Sequence, residues 1–282
     1  MNASFEHCAA LVRAADRDRY LAALFAPAEH RDALFALYAF NVEISRVRDL
    51  AREPMPGEIR LQWWREALSG ARGDEAAANP VAAALCETLV RYALSAERLI
   101  ALIDAHAFDL YDEPMATVTD LEIYGIKTQS ALFAMAAKVL GGGKGDELLA
   151  LDAGIAQAIV GVLQGLGKHA ARRQLYLPLD LVNRHRADQN ELFAGEIGAA
   201  MYAVLGDLRT LARRHIATAR ERLAVAPRTI LPALLPVALL GPTLARMEEG
   251  DYEPLHFQPI APWRRQWLLW RAARDPERIF KA

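Results

Sequence analysis

The chain has 282 residues, of which 53% are hydrophobic and 24% charged, with a formal net charge of −2. That balance belongs to a folded protein with a sizeable interior and excludes a disordered polar chain. Near-neutrality excludes a global field that would recruit nucleic acid or an acidic membrane, so any electrostatic binding must come from local patches.

The first twenty residues, MNASFEHCAALVRAADRDRY, lack a basic start followed by an apolar core. They also carry acids that a mitochondrial transit peptide would exclude, so the mature chain is expected to begin here. A helix over 28–51 places Leu34, Leu37, Tyr38, Val42 and Ser45 on one face, ahead of the break from Pro54 to Gly57. Further helices are predicted at 58–68, 81–92, 96–111, 119–140, 147–170, 189–224, 231–247 and 263–274, with a Gly- and Ala-rich connector before Pro80. The GGGKG run at 141–145 is a helix stop and turn, because a phosphate loop would need a preceding strand and different spacing. No stretch alternates as a strand does, so the class is all-α, and one domain over 1–282 is expected.

The most apolar run, 230–240, is too short for a bilayer and is interrupted by Pro232 and Pro236, so no transmembrane span is predicted. Cys8 and Cys86 are read as small buried apolar residues in a reducing, cytoplasmic setting. Arginine outnumbers lysine and alanine is abundant, a composition suggestive of a bacterial gene of high GC content.

Four segments carry a resemblance: FALYAFNVEISRVRDL at 35–50, RLQWWREAL at 60–68, LEIYGIKTQSALFAMAAKVLG at 121–141 and AARRQLYLPLDLV at 170–182. Together they resemble the squalene/phytoene synthase family, whose members join two prenyl diphosphates inside an all-helical isoprenoid-synthase fold with a central cavity. The resemblance implies that fold here.

It also implies two aspartate-rich, Mg2+-binding motifs, and both are largely rewritten. The first motif falls on Ser45, Arg46 and Asp49, of which only the last is an acid. The acidic positions of the second fall on Gly165, Lys168 and His169, followed by Arg172 and Arg173, so an acidic face is expected to have become basic. Lys168, Arg172, Arg173 and Tyr176 are therefore candidate anion-binding residues, the alternative being a solvated helix end that complements the helix dipole. No metal site and no cofactor are expected; Mg2+ enters only if the chain is a working transferase, which needs carboxylates elsewhere, for instance Glu43 beside Asp49, two acids six residues apart and poorly aligned on a helix.

The segments AFNVE at 39–43, YGIKTQSAL at 124–132 and GIAQAIVGVL at 154–163 are similar to the complex I assembly-factor branch of the same family, which lacks the aspartate motifs. That similarity implies a non-catalytic role in building respiratory complex I, with a complex I subunit or another assembly factor as partner. A prenyl transferase, or a protein that binds a prenyl lipid or an anion in the cavity, are the alternatives.

Other polar candidates read as structural. Asp109, Asp112 and Glu113 form a DxxDE string ahead of Pro114, expected to be a solvated acidic turn. His7, His30, His106, His185, His215 and His256 show no ligand spacing and are assigned no role. Gln62, Trp63, Trp64 and Arg65 share an amphipathic helix whose tryptophans should pack. Trp263, Trp267 and Trp270 fall on one helical face beside Arg264, Arg265, Arg271 and Arg274. The favoured expectation is a last helix closing the core with its arginines outward; the other is peripheral contact with the inner membrane.

Overall fold

The computed structural model describes residues 2–51 and 53–280. Helices make up 76% of it, and no strand occurs among the described residues. In chain order they are α1 (Ala3–Ala15), α2 (Arg17–Ala23), α3 (Ala28–Ser45), α4 (Val47–Leu50), α5 (Pro54–Leu68), α6 (Gly73–Ala78), α7 (Pro80–Arg91), α8 (Ala96–Ala107) and α9 (Val118–Gly125). There follow α10 (Ala131–Val139), α11 (Glu147–Gln164), α12 (Leu166–Ala171), α13 (Leu179–Arg184), α14 (Gln189–Phe193), α15 (Ala199–Leu223), α16 (Leu231–Leu234), α17 (Leu240–Arg246) and α18 (Pro262–Arg274).

Local chemistry accounts for many of the boundaries. Asp16 ends α1 and caps α2, its side chain accepting from the Arg19 amide at 3.1 Å. Asn79 caps α7 by accepting from the amides of Val81 and Ala82, with Pro80 at the first helical position. Thr117 and Asp120 form a reciprocal capping box on α9. Gly195 takes a φ of 86° that halts α14 before α15 begins, so the predicted helix over 189–224 is two helices. Likewise the stretch expected as one helix over 231–247 is interrupted by a 3₁₀ segment, Leu235–Leu239, with Pro236 near its start.

α1 and α2, at the N-terminus, are two helices that the hydrophobic pattern did not reveal. α1 contributes Phe5, Cys8 and Val12 to the core and α2 contributes Ala22 and Ala23, and α1 packs on α3 and α7. Cys8 is buried as expected, whereas Cys86 is only partly so. Leu34, Leu37, Tyr38 and Val42 are buried, but so is almost every residue from Ala33 to Val42, because α3 is surrounded rather than one-faced. Trp64 is buried with its ring edge-on to Phe40, while Arg65 pairs with Asp104 at 2.7 Å.

α11 is the second interior helix, packed on α15, α9, α10 and α17. Its close approach depends on Gly154: a Cβ there would stand 2.2 Å from the Ser130 amide nitrogen and 2.3 Å from that residue's Cα. Ser130 closes a π-helical turn, Ile126–Ser130, that joins α9 to α10. This turn splits the single helix predicted over 119–140 and aims Tyr124 and Gln129 at a common cavity. In a regular α-helix, side chains five residues apart point about 140° away from each other.

One connected cluster of buried apolar residues runs from Phe5 to Phe280. The stretch Arg228–Arg246 has the length and mean hydropathy (1.4) to cross a membrane, but 78% of its apolar window is buried inside this fold.

Gly154→Ala sets a Cβ against backbone atoms that cannot rotate away. It is expected to cost about 2–3 kcal/mol in urea unfolding, whereas Gly161→Ala, on the same helix with no atom within 4 Å, should stabilise by about 0.5–1 kcal/mol.

Candidate functional site

Where the end of α3 and α4 face the end of α11 and α12, the fold forms a cavity of about 260 Å³ that is open to solvent on one side. Ser45, Arg48 and Asp49 line it from one side, Lys168, His169 and Arg172 from the other, and Asp109 and Tyr176 from a third. Arg19, Gln129 and Gln157 complete a polar wall, which is shared in part with a smaller chamber of about 80 Å³ also bordered by Arg19 and Gln157.

Asp49 is clasped. Lys168 Nζ lies 2.8 Å from its carboxylate and Arg172 Nη1 donates to Oδ1 at 2.7 Å. Partial burial raises the acid's pKa, but the two hydrogen bonds and the two positive charges outweigh it and hold the group below the usual carboxylate range. Arg46 is exposed and is not among the cavity-lining residues, contrary to the idea that it confronts a metal position; the helix breaks at Arg46 and the cation facing inward is Arg48. Ser45 does line the cavity, its hydroxyl 3.4 Å from the Val42 carbonyl oxygen. Glu43 sits outside it, 3.7 Å from Arg60, so the alternative acid pair Glu43 and Asp49 is not assembled.

Asp109 is the other carboxylate, and it is not the solvated turn residue its local sequence suggested. It is buried in a 3₁₀ turn, Phe108–Leu110, that continues α8. Tyr176 donates its hydroxyl to Oδ1 at 2.7 Å and Tyr124 reaches both oxygens at 3.1 Å. His106 Nδ1 lies 2.6 Å from Oδ2, and Gln174 donates to the Asp109 carbonyl at 2.8 Å. Burial, with the Asp109 charge next, pushes both phenol pKa values far up, so the tyrosines stay protonated donors. Backbone bonds hold this geometry: Met115 N to Leu175 O at 3.3 Å and Leu179 N to Met115 O at 2.9 Å bring the turn carrying Tyr176 alongside Asp109. Asp112 and Glu113 are exposed, and Asp112 pairs with Arg48 at 3.4 Å.

The expected basic face is narrower than a cluster of four. His169 packs against Tyr176 with ring centroids 4.4 Å apart and ring planes inclined by 39°. Burial lowers its pKa to about 4, Lys168 and Arg172 adding to the effect against Asp109 and Asp49, so the ring is neutral at pH 7. Arg173, in a left-handed conformation with φ 57°, turns its guanidinium over the Phe193 ring at 5.0 Å and is not among the cavity-lining residues. Gly165 lies at the junction of α11 and α12, where an added Cβ would come within 2.5 Å of the His169 ring.

The cations lining the cavity are Arg19, Arg48, Lys168 and Arg172, against two carboxylates. Arg19 was missed because its helix was missed: only 8% exposed, it bonds Asp16 at 2.7 Å and Gln129 at 2.6 Å. Buried polar atoms of the lining residues remain without a partner, namely Arg19 Nε, His106 Nε2, Gln157 Oε1 and His169 Nδ1. His106, assigned no role from spacing, is thus a lining residue. Gln174 and Gln157 carried no detectable signal in sequence, since isolated glutamines have none.

Mg2+ requires free carboxylate oxygens in near-octahedral order. Here one carboxylate is engaged by Lys168 and Arg172 and the other by two phenols and His106, and no group of three His, Cys, Asp or Glu side chains among the described residues is placed to hold a metal ion. The residues present do not fit the ion that the family's aspartate motifs imply.

An all-helical shell around a cavity at the ends of two interior helices is the isoprenoid-synthase fold. The chain belongs to the squalene/phytoene synthase family, whose model matches residues 12–271. It is 31% identical over 251 residues to the NADH dehydrogenase (ubiquinone) complex I assembly factor 6 of Rattus norvegicus, covering 89% of this chain and 75% of that protein. A phytoene synthase of Thermus thermophilus is 29% identical over 219 residues, covering 76% of this chain and 72% of that one. Among solved structures, a dehydrosqualene synthase in complex with a ligand superposes with a TM-score of 0.84 at 16% identity, covering 96% of this chain and 95% of that one. The squalene synthase HpnC of Alicyclobacillus acidocaldarius gives 0.76 at 20%, covering 86% and 92%. The relatives at 30–31% identity are mammalian, which lends no support to the bacterial source suggested by composition.

Asp109→Ala orphans two buried phenols and is expected to cost about 3 kcal/mol by urea unfolding, with loss of near-ultraviolet tyrosine signal. The His169 ring should titrate at about 4 in NMR, against an ordinary 6.5. Because the unfolded chain binds the proton first, this ring's contribution to stability is intact above about 6.5 and is lost as pH falls toward 4. His215 has the opposite sign. Burial lowers its pKa, but bonds to Asp152 (2.7 Å) and Glu122 (3.1 Å) outweigh that and raise it, so its contribution is present below 6.5 and is lost as pH rises through the elevated value. Unfolding midpoints of His169→Asn and His215→Asn across pH should separate the two effects.

Proposed function

We propose that this chain acts in the assembly of respiratory complex I and does not catalyse metal-dependent prenyl transfer. The observation that carries this reading is the clasp of Lys168 and Arg172 on Asp49. Ionising a prenyl diphosphate depends on a metal that neutralises the leaving group, and this carboxylate is committed to protein cations instead. The similarity to complex I assembly factor 6 proteins supports the role, with a complex I subunit or another assembly factor as the partner.

The cations lining the cavity favour a small anion as its ligand, competing with Asp49 for Lys168 and Arg172 and bound without Mg2+, over a wholly apolar prenyl chain. A transferase is the competing reading, supported by the similarity to phytoene synthases.

Deleting the gene should deplete assembled NADH:quinone oxidoreductase on native gels, and a chain carrying Lys168→Ala and Arg172→Ala should restore it poorly; normal assembly without the gene would overturn the reading. Purified protein given farnesyl or geranylgeranyl diphosphate with Mg2+ should yield no condensed product. In calorimetry, pyrophosphate should release the same heat with and without Mg2+, and heat seen only with Mg2+ would point to the transferase.

A further inference from the structure

α18 does not close the core with its tryptophans. The residues it buries are Leu269 and Ala272, packed toward the segment Leu235–Leu239 and α2. Trp263, Trp267 and Trp270 are 71%, 46% and 44% exposed, three large indoles on the outward side of one short helix. Exposing so much aromatic surface is unfavourable for an isolated molecule and marks a contact surface.

The charges on this helix identify its partner. Between Pro262 and Arg274 there are four arginines and no acidic residue, and Gln266 is the only side chain with a hydrogen-bond acceptor. Arg265 is tied to Asp18 of α2, which anchors the N-terminal turn of the helix to the body. The guanidinium of Arg271 lies 4.2 Å from the Trp267 ring centroid, and that of Arg274 4.1 Å from the Trp270 ring centroid. Each of these two indoles therefore carries a cation over its ring face. An aromatic ring with a guanidinium beside it matches the headgroup layer of a bilayer, where the ring enters the acyl boundary and the cation meets lipid phosphate. A folded protein partner would have to supply nearly all the acceptors itself, whereas anionic lipid supplies them everywhere. The acid just beyond the helix, Asp275, is engaged by Arg278 at 2.8 Å.

We propose that α18 is a peripheral docking surface for an anionic lipid bilayer, lying in the interface plane with Trp263, Trp267 and Trp270 inserted to headgroup depth and Arg264, Arg271 and Arg274 on lipid phosphates. Attachment is peripheral because the one stretch among the described residues long and apolar enough to cross a membrane, Arg228–Arg246, is largely buried inside the fold. This inference is independent of the cavity and of the assembly role.

The test uses the full chain and vesicles of phosphatidylcholine, alone or mixed with phosphatidylglycerol. Wild-type protein should co-sediment with the mixed vesicles, more weakly with phosphatidylcholine alone, and less as salt is raised, with a blue shift of tryptophan emission. The triple variant Trp263→Ala, Trp267→Ala, Trp270→Ala should bind about tenfold or more weakly. Its helical circular dichroism and melting should stay unchanged, since the altered side chains face outward. Arg264→Gln, Arg271→Gln and Arg274→Gln together should abolish the preference for anionic vesicles while keeping the tryptophans. Failure of wild-type protein to bind the mixed vesicles, equal binding by the tryptophan variant, or tryptophan-dependent self-association without vesicle binding would each overturn the proposal.

Discussion

A charge inside a helical core is tolerated only when neighbouring groups compensate it, and that requirement organises this molecule around its cavity. Asp109 is the clearest case. Its two oxygens meet Tyr124, Tyr176 and His106, groups contributed by three separate parts of the chain. Holding these donors in register calls for the backbone pairing between Met115 and Leu175, the continuation of α8 as a 3₁₀ turn, and the π turn that follows Tyr124. The cavity is as much a consequence of satisfying these groups as of leaving room between helices.

Charge compensation also governs Asp49, at the more open side of the cavity. Where family members place acids to hold Mg2+, the chain supplies its own cations: Lys168 and Arg172 neutralise Asp49, and Arg48 faces inward beside it. The replacement is selective. His169 is kept neutral by burial beside Lys168 and Arg172, and Arg173 is turned onto Phe193, so the positive character comes from Arg19, Arg48, Lys168 and Arg172. A protein cation is tethered and brings no coordination sphere, so it can balance a carboxylate without organising a diphosphate for ionisation.

The all-α class, the helix bearing Leu34 to Val42 and the residues standing at the aspartate-motif positions were legible in sequence, because periodicity and residue identity are local properties, whereas the burial of that helix on every side was not. The retained acid Asp49 and the cation Lys168 were found for the same reason. Less accessible were α1 and α2, and with them Arg19, whose interest lies wholly in where its helix packs. Asp109 was misread because DLYDEP looks like a solvated turn and nothing nearby announces two tyrosines arriving from 15 and 67 residues away. The tryptophans of α18 were correctly set on one face by spacing, but spacing could not say which face was buried.

The sequence by itself therefore determined the helical class, the family and the chemical identity of the residues at the positions of the family's aspartate motifs. Tertiary structure alone decided which of them matter: that Arg48 rather than Arg46 faces the cavity, that His169 is uncharged, that Asp109 is a buried hub and that Trp263, Trp267 and Trp270 point outward. The physical reason is that protonation, desolvation and charge compensation depend on distances between groups far apart in the chain, and a local pattern carries no information about those distances.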